Sequence, residues 1–191
     1  MPIQLTEDEK TFLLKLAREA ITAAVAGQLP PTVDSAQITP TLAENGASFV
    51  TLTIEGHLRG CIGSLEAFQP LAKDVQTRAV QAALEDNRFY PLTEAELSTV
   101  KIEISRLTPS VPLSYTDPLE LPRLIRPGID GVVLSDGWRR ATYLPQVWEQ
   151  LPNPADFLSS LCQKMGASRS LWRERLLDVE IYQVEEFSET N

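Results

Sequence analysis

A predicted β-hairpin at residues 47–62 constrains the fold of this chain more than any other stretch of its sequence. The run ASFVTLTI is rich in β-branched and aromatic residues, which favours a strand. The run HLRGCI returns after the turn residues Glu55 and Gly56, so the two strands pair antiparallel. Helical and strand-like stretches elsewhere intermix without a regular β-α-β rhythm. The sequence therefore predicts an α+β fold, with a mostly antiparallel sheet flanked by helices.

Helices are predicted where capping residues precede apolar residues at helical spacing. Thr6 and Glu9 have the spacing of a capping box at the start of LTEDEKTFLLKLAREAITAAVAG. NPADFLSSLCQKMG begins with a capping Asn153 and ends at Gly166. Further helices are predicted over PLAKDVQTRAVQAALED and from near Pro145. The chain of 191 residues is long enough for one large domain or two small lobes.

The composition excludes several classes of function. Acidic residues number 26 against 17 basic ones, and this net charge of −9 argues against a general nucleic-acid binder. The apolar runs are too short to span a bilayer and the acidic start is unlike a secretory leader, so no membrane partner is expected. One histidine and two widely separated cysteines predict no metal site and no disulfide framework. We expect a cytoplasmic protein without a cofactor.

The stretch LRGCIGS places a thiol, Cys61, between Gly60 and Gly63 and two positions after Arg59. A guanidinium favours a neighbouring thiolate, and glycine backbone N–H groups can point into a concavity that suits an anion. This pattern predicts a reactive or ligand-contacting thiol. In the alternative interpretation the glycines adopt positive φ, the cysteine is a small buried side chain and the arginine is a surface residue.

The predicted hairpin contains a conflict of register. A two-residue turn would place Val50 opposite Cys61, so that Cys61 and Arg59 would share one face with apolar side chains. Either a bulge, for which Gly56 or Gly60 is suited, shifts the register by one residue, or this face walls a cleft. The sequence leaves both alternatives open.

LRGCIGS resembles the signature of the AMMECR domain family, whose bacterial and archaeal members are called AmmeMemoRadiSam system protein A. Other passages agree with the family in order: GASFVTL, LEDNRFYPLT, KIEISRLTP, GIDGVVL, YLPQVW and FLSSLCQKMGA. The match spans roughly residues 10–187. The resemblance implies that residues 1–191 form a single AMMECR domain, either as one body or with a smaller lobe packed on a larger one. It further implies an α+β fold of two lobes with the signature loop near a cleft between them.

The resemblance implies a site but no particular reaction, so whether the chain is an enzyme stays open. We expect a small anionic ligand in the cleft between the lobes, and a Memo-like protein and a radical SAM protein as partners. The alternative is a non-catalytic protein-interaction module. The candidate catalytic residues are Cys61 and Glu103, and the candidate ligand-binding residues are Arg59, Gly60, Gly63, Arg88, Gln146 and Lys164.

The side chains of Glu103 and Cys162 also have interpretations in which they only stabilise the fold. Glu103 lies on the outward set of the strand KIEISRL, where the alternatives are an ion pair with Arg88 or Arg106 and a role as an acid or base. Cys162 lies among apolar residues of a predicted helix, so we expect it to pack in the core.

Overall fold

The chain divides into two compact units in the computed structural model, which describes residues 4–190. The first unit consists of the residues up to Thr108 together with those from Glu185 onward, and the second unit is Pro109–Val184. Each unit has its own sheet and its own hydrophobic core. The predicted α+β class with antiparallel pairing is confirmed. The predicted cleft between two lobes stays a prediction.

Six α-helices and nine β-strands make up the regular structure of the described residues. The helices are α1 (Glu7–Val25), α2 (Pro40–Ala43), α3 (Leu71–Leu84), α4 (Leu121–Leu124), α5 (Pro154–Lys164) and α6 (Leu171–Glu174). The strands are β1 (Asn45–Ile54), β2 (His57–Gly63), β3 (Gln69–Pro70), β4 (Lys101–Leu107), β5 (Val111–Pro112), β6 (Gly131–Ser135), β7 (Arg140–Tyr143), β8 (Asp178–Tyr182) and β9 (Val184–Ser188). Short 3₁₀ helices lie at Ser35–Gln37, Glu94–Glu96, Pro118–Glu120 and Pro145–Glu149.

The first sheet has the strand order β2-β1-β4-β9, with β3 paired to the start of β1. Residues 48–53 of β1 and residues 101–104 of β4 alternate between a buried and a more open face, as the sequence of β4 predicts, whereas residues 105–107 of β4 are all buried. The buried set, which packs against α1 and α3, includes Val50, Leu52, Ile102 and Ile104. The opposite face, which we call the outer face, carries the odd-numbered residues of β1 and β4.

The capping signals correctly predict the starts of α1 and α5, whereas α3 begins without a side-chain cap. Thr6 and Glu9 form the expected capping box of α1, and Asn153 accepts hydrogen bonds from the first turn of α5. The helix predicted from near Pro145 does begin there, but as the short 3₁₀ helix Pro145–Glu149 and not as an α-helix. Pro152 explains the difference, since proline lacks a backbone donor and disfavours helical backbone in the residue before it.

The second sheet has the strand order β5-β8-β6-β7, and α5 packs beside it over an aromatic core. Within that core the Trp148 and Phe157 rings stack with their centroids 3.7 Å apart, and the Trp148 indole donates to the Asp130 carbonyl over 2.8 Å. Cys162 is fully buried in the same core, as predicted. None of the helices found in residues 4–190 has the length and apolar character needed to cross a bilayer.

Candidate functional site

A bulge in β2 decides which way the cysteine of LRGCIGS points. The ladder between β1 and β2 shifts by one residue at Arg59, which no residue of β1 faces. Beyond the shift Cys61 lies opposite Thr51 and not opposite Val50. The bulge alternative is therefore confirmed. It moves the thiol to the outer face of the sheet, away from the face that packs against the helices.

Cys61, Thr51 and Glu103 form a row across three neighbouring strands on the outer face. Thr51 faces Cys61 on β2 and Glu103 on β4. The Thr51 hydroxyl donates a hydrogen bond to the Cys61 sulfur over 3.3 Å. Adjacent strands lie about 4.8 Å apart, so the backbones of the outer two residues are roughly 10 Å apart. One small molecule is long enough to contact both the thiol and the carboxylate.

The ion pairs predicted for Glu103 do not form. Arg88 pairs with Asp86 and Arg106 with Glu185. Glu103 itself is exposed, and its carboxylate makes no hydrogen bond or ion pair with any residue between 4 and 190. The carboxylate is thus available to a ligand, but its role as an acid or base stays a prediction.

Asp86 and Arg88 cover the edge of the first sheet at Cys61. Strand β2 lies at the end of the sheet, so the outward N–H and C=O groups of its backbone need partners from elsewhere. The Cys61 N–H donates to Asp86 Oδ2 over 2.8 Å, and Arg88 Nη2 donates to the Cys61 carbonyl over 3.2 Å. The turn after α3 thereby holds the backbone of the cysteine from both sides. Asp86 belongs to the passage LEDNRFYPLT that resembles the family, but no pattern in the sequence predicted its contact with Cys61.

The Asp86–Arg88 pair leaves cationic donors at the surface beside Cys61. Arg88 binds Asp86 through two nitrogens, Nε at 2.9 Å and Nη2 at 2.7 Å. Its hydrogen bonds hold the pKa of Asp86 well below the ordinary value, although burial opposes this. The Asp86 side chain is 5% exposed and that of Arg88 is 56% exposed. Within residues 4–190, Arg88 Nη1 has no hydrogen-bond acceptor, so two of its N–H groups face solvent.

The hydrogen-bond partners of Arg59 differ from those of Arg88. It binds Glu96 through Nε at 2.7 Å and Nη2 at 3.1 Å, and its Nη1 donates to the Tyr90 carbonyl over 3.0 Å. The hydrogen bond from Arg59 lowers the pKa of Glu96 to about 2. Arg59 therefore fastens the segment 90–96 to the bulge, and each of its three guanidinium nitrogens already has an acceptor. Among the two arginines implied by the family resemblance, Arg88 is the one with donors left for an anion.

The two glycines of the motif are needed for close packing. A Cβ atom on Gly60 would lie 2.2 Å from the Ala82 carbonyl of α3, and one on Gly63 would lie 2.2 Å from the Phe49 ring. Neither glycine has positive φ, so the expectation of left-handed backbone is wrong for both. The extended strand also lacks the alternating backbone conformation of an anion-binding nest. Ligand binding by these glycines stays a prediction.

The two remaining candidate residues belong to the second unit. The Lys164 ammonium donates to the Thr142 carbonyl over 2.9 Å and lies 4.8 Å from the centre of the Tyr143 ring. Gln146 is an exposed residue of the 3₁₀ helix after β7. Their assignment to a ligand site stays a prediction. No group of three potential metal ligands comes together among residues 4–190.

Comparisons with known proteins point to one family. A family model described as AMMECR1 matches residues 14–187. A protein of Thermofilum pendens is 37% identical over 204 residues, covering 98% of this chain and 92% of its relative. One of Methanothermobacter thermautotrophicus is 38% identical over 167 residues, with coverages of 85% and 84%. The crystal structure of an uncharacterised protein from Pyrococcus horikoshii is similar at a TM-score of 0.73 and 31% identity, with coverages of 93% and 90%.

Proposed function

The chain belongs to the AMMECR1 family, and from that premise we propose that the outer face of its first sheet binds a small ligand with an anionic group such as a carboxylate. The row of Cys61, Thr51 and Glu103 is the single observation that carries the proposal, because it aligns three unlike polar groups on an open sheet face. In this proposal the Cys61 thiol contacts the ligand directly and Glu103 contacts its far end.

Arg88 supplies the anion recognition in this proposal. Its Nη2 already holds the Cys61 carbonyl, so the two solvent-facing donors on Nη1 lie in the neighbourhood of the thiol. The two remaining N–H groups, both on Nη1, can donate charge-assisted hydrogen bonds to a carboxylate oxygen. The buried Asp86 carboxylate fixes the orientation of the guanidinium, so little side-chain entropy is lost when an anion binds.

Two small alkylating reagents test the proposal. Iodoacetate and iodoacetamide react with the same thiol, but only iodoacetate carries a carboxylate. We expect Arg88→Gln to lower the ratio of the iodoacetate rate to the iodoacetamide rate at Cys61 by about two- to fivefold, because a partly exposed charge pair contributes about 0.5–1 kcal/mol. The two rates are measured at one pH by intact-mass spectrometry. Arg88→Lys, which keeps the charge, is expected to retain most of the ratio.

Arg126→Gln is the matched control for that experiment. Arg126 pairs with the fully buried Asp130 and is 52% exposed, so it resembles Arg88 in its pairing and exposure but belongs to the second unit. This control is expected to leave the rate ratio at Cys61 unchanged. An unchanged ratio in Arg88→Gln would contradict anion recognition beside the thiol.

The partners implied by the family resemblance enter the proposal as proteins that act together with this chain. A Memo-like protein and a radical SAM protein encoded in the same genome are the candidates. We expect the purified Memo-like protein to bind this chain in a size-exclusion experiment at micromolar concentration. Elution of the two proteins at their separate positions at every concentration tested would contradict this part of the proposal.

A non-catalytic interaction module is the second candidate function, and Trp138 favours it. This tryptophan lies between β6 and β7 and is 82% exposed. The Arg139 guanidinium lies 4.7 Å from its ring centre and is itself anchored on Asp136 and on the Gly166 carbonyl. An exposed tryptophan beside an anchored arginine has the composition of an interface hot spot.

Substitution separates the two candidate functions. If the chain is an interaction module, Trp138→Ala is expected to weaken binding of the Memo-like protein at least about tenfold, and Cys61→Ser to leave it unchanged. Leu119→Ala removes another exposed apolar side chain of the second unit and serves as the control. Equal binding by Trp138→Ala and by the unaltered chain would reject the tryptophan as a docking residue.

A further inference from the structure

We propose a second binding site in the first unit, for an amphiphilic small molecule with an apolar body and a single anionic group. The site is a groove between the chain that follows α1, helix α2 and the start of α3. We call it the proline groove, and its lining includes Pro31, Leu42, Ala43, Ala72, Lys73 and Gln76. It shares no residue with the row around Cys61.

The size and chemistry of the proline groove fit a small ligand. Its volume is about 830 Å³, and small-molecule sites in proteins are typically apolar pockets of about 300–1,000 Å³ with a few placed polar groups. The floor includes Leu42 and Ala72, which are almost fully buried, so its apolar surface continues into the core of the first unit. An apolar ligand body would bury this surface and its own.

Hydrogen bonds hold one wall of the groove in place. The buried Gln76 side chain donates from Nε2 to the Pro31 carbonyl over 2.7 Å, which fastens the proline segment to α3. The two neighbouring prolines restrict the backbone of this segment further. The groove is therefore formed before a ligand arrives, which reduces the entropy lost on binding.

Lys73 determines the charge of the ligand. Among the described residues that line the groove, Lys73 is the only charged one. Its ammonium donates to Gln76 Oε1 over 2.9 Å, and this bond uses one of the three ammonium protons. The other two are available to an anion. An apolar groove with one lysine at its margin is complementary to a monoanionic amphiphile such as a medium-chain carboxylate.

A pair of fluorescent probes with the same apolar body tests both halves of the proposal. 1-Anilinonaphthalene-8-sulfonate carries one sulfonate, and N-phenyl-1-naphthylamine is the corresponding neutral compound. We expect both to bind, the anionic probe more tightly, and decanoate to displace the anionic probe. Lys73→Gln is expected to weaken the anionic probe about threefold or more and to leave the neutral probe unchanged, because only the charge contact is lost.

A blocking variant locates the site. Ala43 is an exposed residue of the short helix α2 and lines the groove, so Ala43→Trp fills it without opening the core. We expect this variant to abolish binding of both probes. The controls are Ala36→Trp, which alters an exposed alanine outside the groove, and Lys15→Gln, which alters an exposed lysine of α1.

Each outcome decides the proposal. Loss of both probes in Ala43→Trp together with selective loss of the anionic probe in Lys73→Gln supports it. Unchanged probe binding in Ala43→Trp overturns the site. Equal loss or no loss of the two probes in Lys73→Gln overturns the anionic ligand class, and circular dichroism of the variants checks that each has folded.

Discussion

The backbone N–H of Cys61 donates to the carboxylate of Asp86 over 2.8 Å, and this bond fastens the edge of the first sheet to the turn after α3. We predict that Asp86→Asn destabilises the fold by about 1–3 kcal/mol, because the nearly isosteric amide is uncharged and replaces one of the two accepting oxygens with a donor. Urea denaturation measures the change. We also expect faster alkylation of Cys61 by iodoacetamide, since the strand edge is held less firmly.

Asp130→Asn is the control for that substitution. Asp130 is a buried carboxylate that pairs with Arg126 in the second unit, so its loss is comparable in chemistry. It is expected to destabilise the fold without changing the alkylation rate of Cys61. Equal acceleration by both variants would mean that the rate reports general stability and not the Asp86 contact.

Gly60 is predicted to be much less replaceable than Gly56, the glycine at the turn of the hairpin. An alanine Cβ at this position would lie 2.2 Å from the Ala82 carbonyl, so β2 and α3 would have to separate. We expect Gly60→Ala to cost about 3 kcal/mol or more in unfolding free energy. Gly56 has a φ of +80° but open space around it, so Gly56→Ala is expected to cost only about 1 kcal/mol. Equal losses in chemical denaturation would contradict this account of the motif.

The two cysteines are predicted to differ sharply in accessibility. Cys61 is half-buried, whereas Cys162 is fully buried and burial raises the pKa of its thiol. In the native protein we expect iodoacetamide to modify Cys61 at least about tenfold faster, with Cys162 reacting only when the second unit opens. Peptide mass mapping after short labelling identifies the modified residue. Labelling in 8 M urea, where both thiols are expected to react, is the control, and comparable native rates would contradict the burial of Cys162.

The Arg59–Glu96 pair predicts a defined acid sensitivity. The pKa of Glu96 is lowered to about 2 in the fold, against about 4.5 for an ordinary glutamate. A lowered pKa means that the folded state favours the charged form, so this contribution is complete above about pH 4.5 and disappears as the pH falls toward 2. We expect Glu96→Gln to lose about 1 kcal/mol at pH 7 and almost nothing near pH 2. A loss that is the same at both pH values, in denaturation midpoints, would contradict the assignment.

The sequence predicted the elements whose signals are local. The capping box of α1, the cap of α5, the alternation over residues 101–104 of β4 and the burial of Cys162 all follow from neighbouring residues. The register conflict in the hairpin was also visible, because an apolar strand facing an arginine and a cysteine violates the alternation of a sheet. The position of the bulge at Arg59 is visible in the structure but could not be predicted from the sequence.

The parts of the site that the sequence did not predict depend on contacts between distant residues. Asp86 reaches Cys61 across 25 positions, and Thr51 meets it only after the register has shifted. Gly60 and Gly63 were expected to line an anion-binding concavity or to adopt positive φ, whereas α3 beside Gly60 and the Phe49 ring beside Gly63 require the absence of a side chain. Arg59 and Arg88 were equivalent in the sequence, and each pairs with a carboxylate in the fold. They differ because all three guanidinium nitrogens of Arg59 have acceptors, whereas Nη1 of Arg88 has none among residues 4–190.

The crystal structure of the protein after reaction with iodoacetate is the most direct test of an anion site beside the thiol. Carboxymethylation of Cys61 places one carboxylate on the sulfur at a distance that a single methylene sets. The account predicts that this carboxylate binds Arg88 Nη1 within about 3.2 Å, while the Asp86 contact to the Cys61 N–H stays intact. A carboxymethyl group that turns away from Arg88 into solvent, with the guanidinium unmoved, would contradict it.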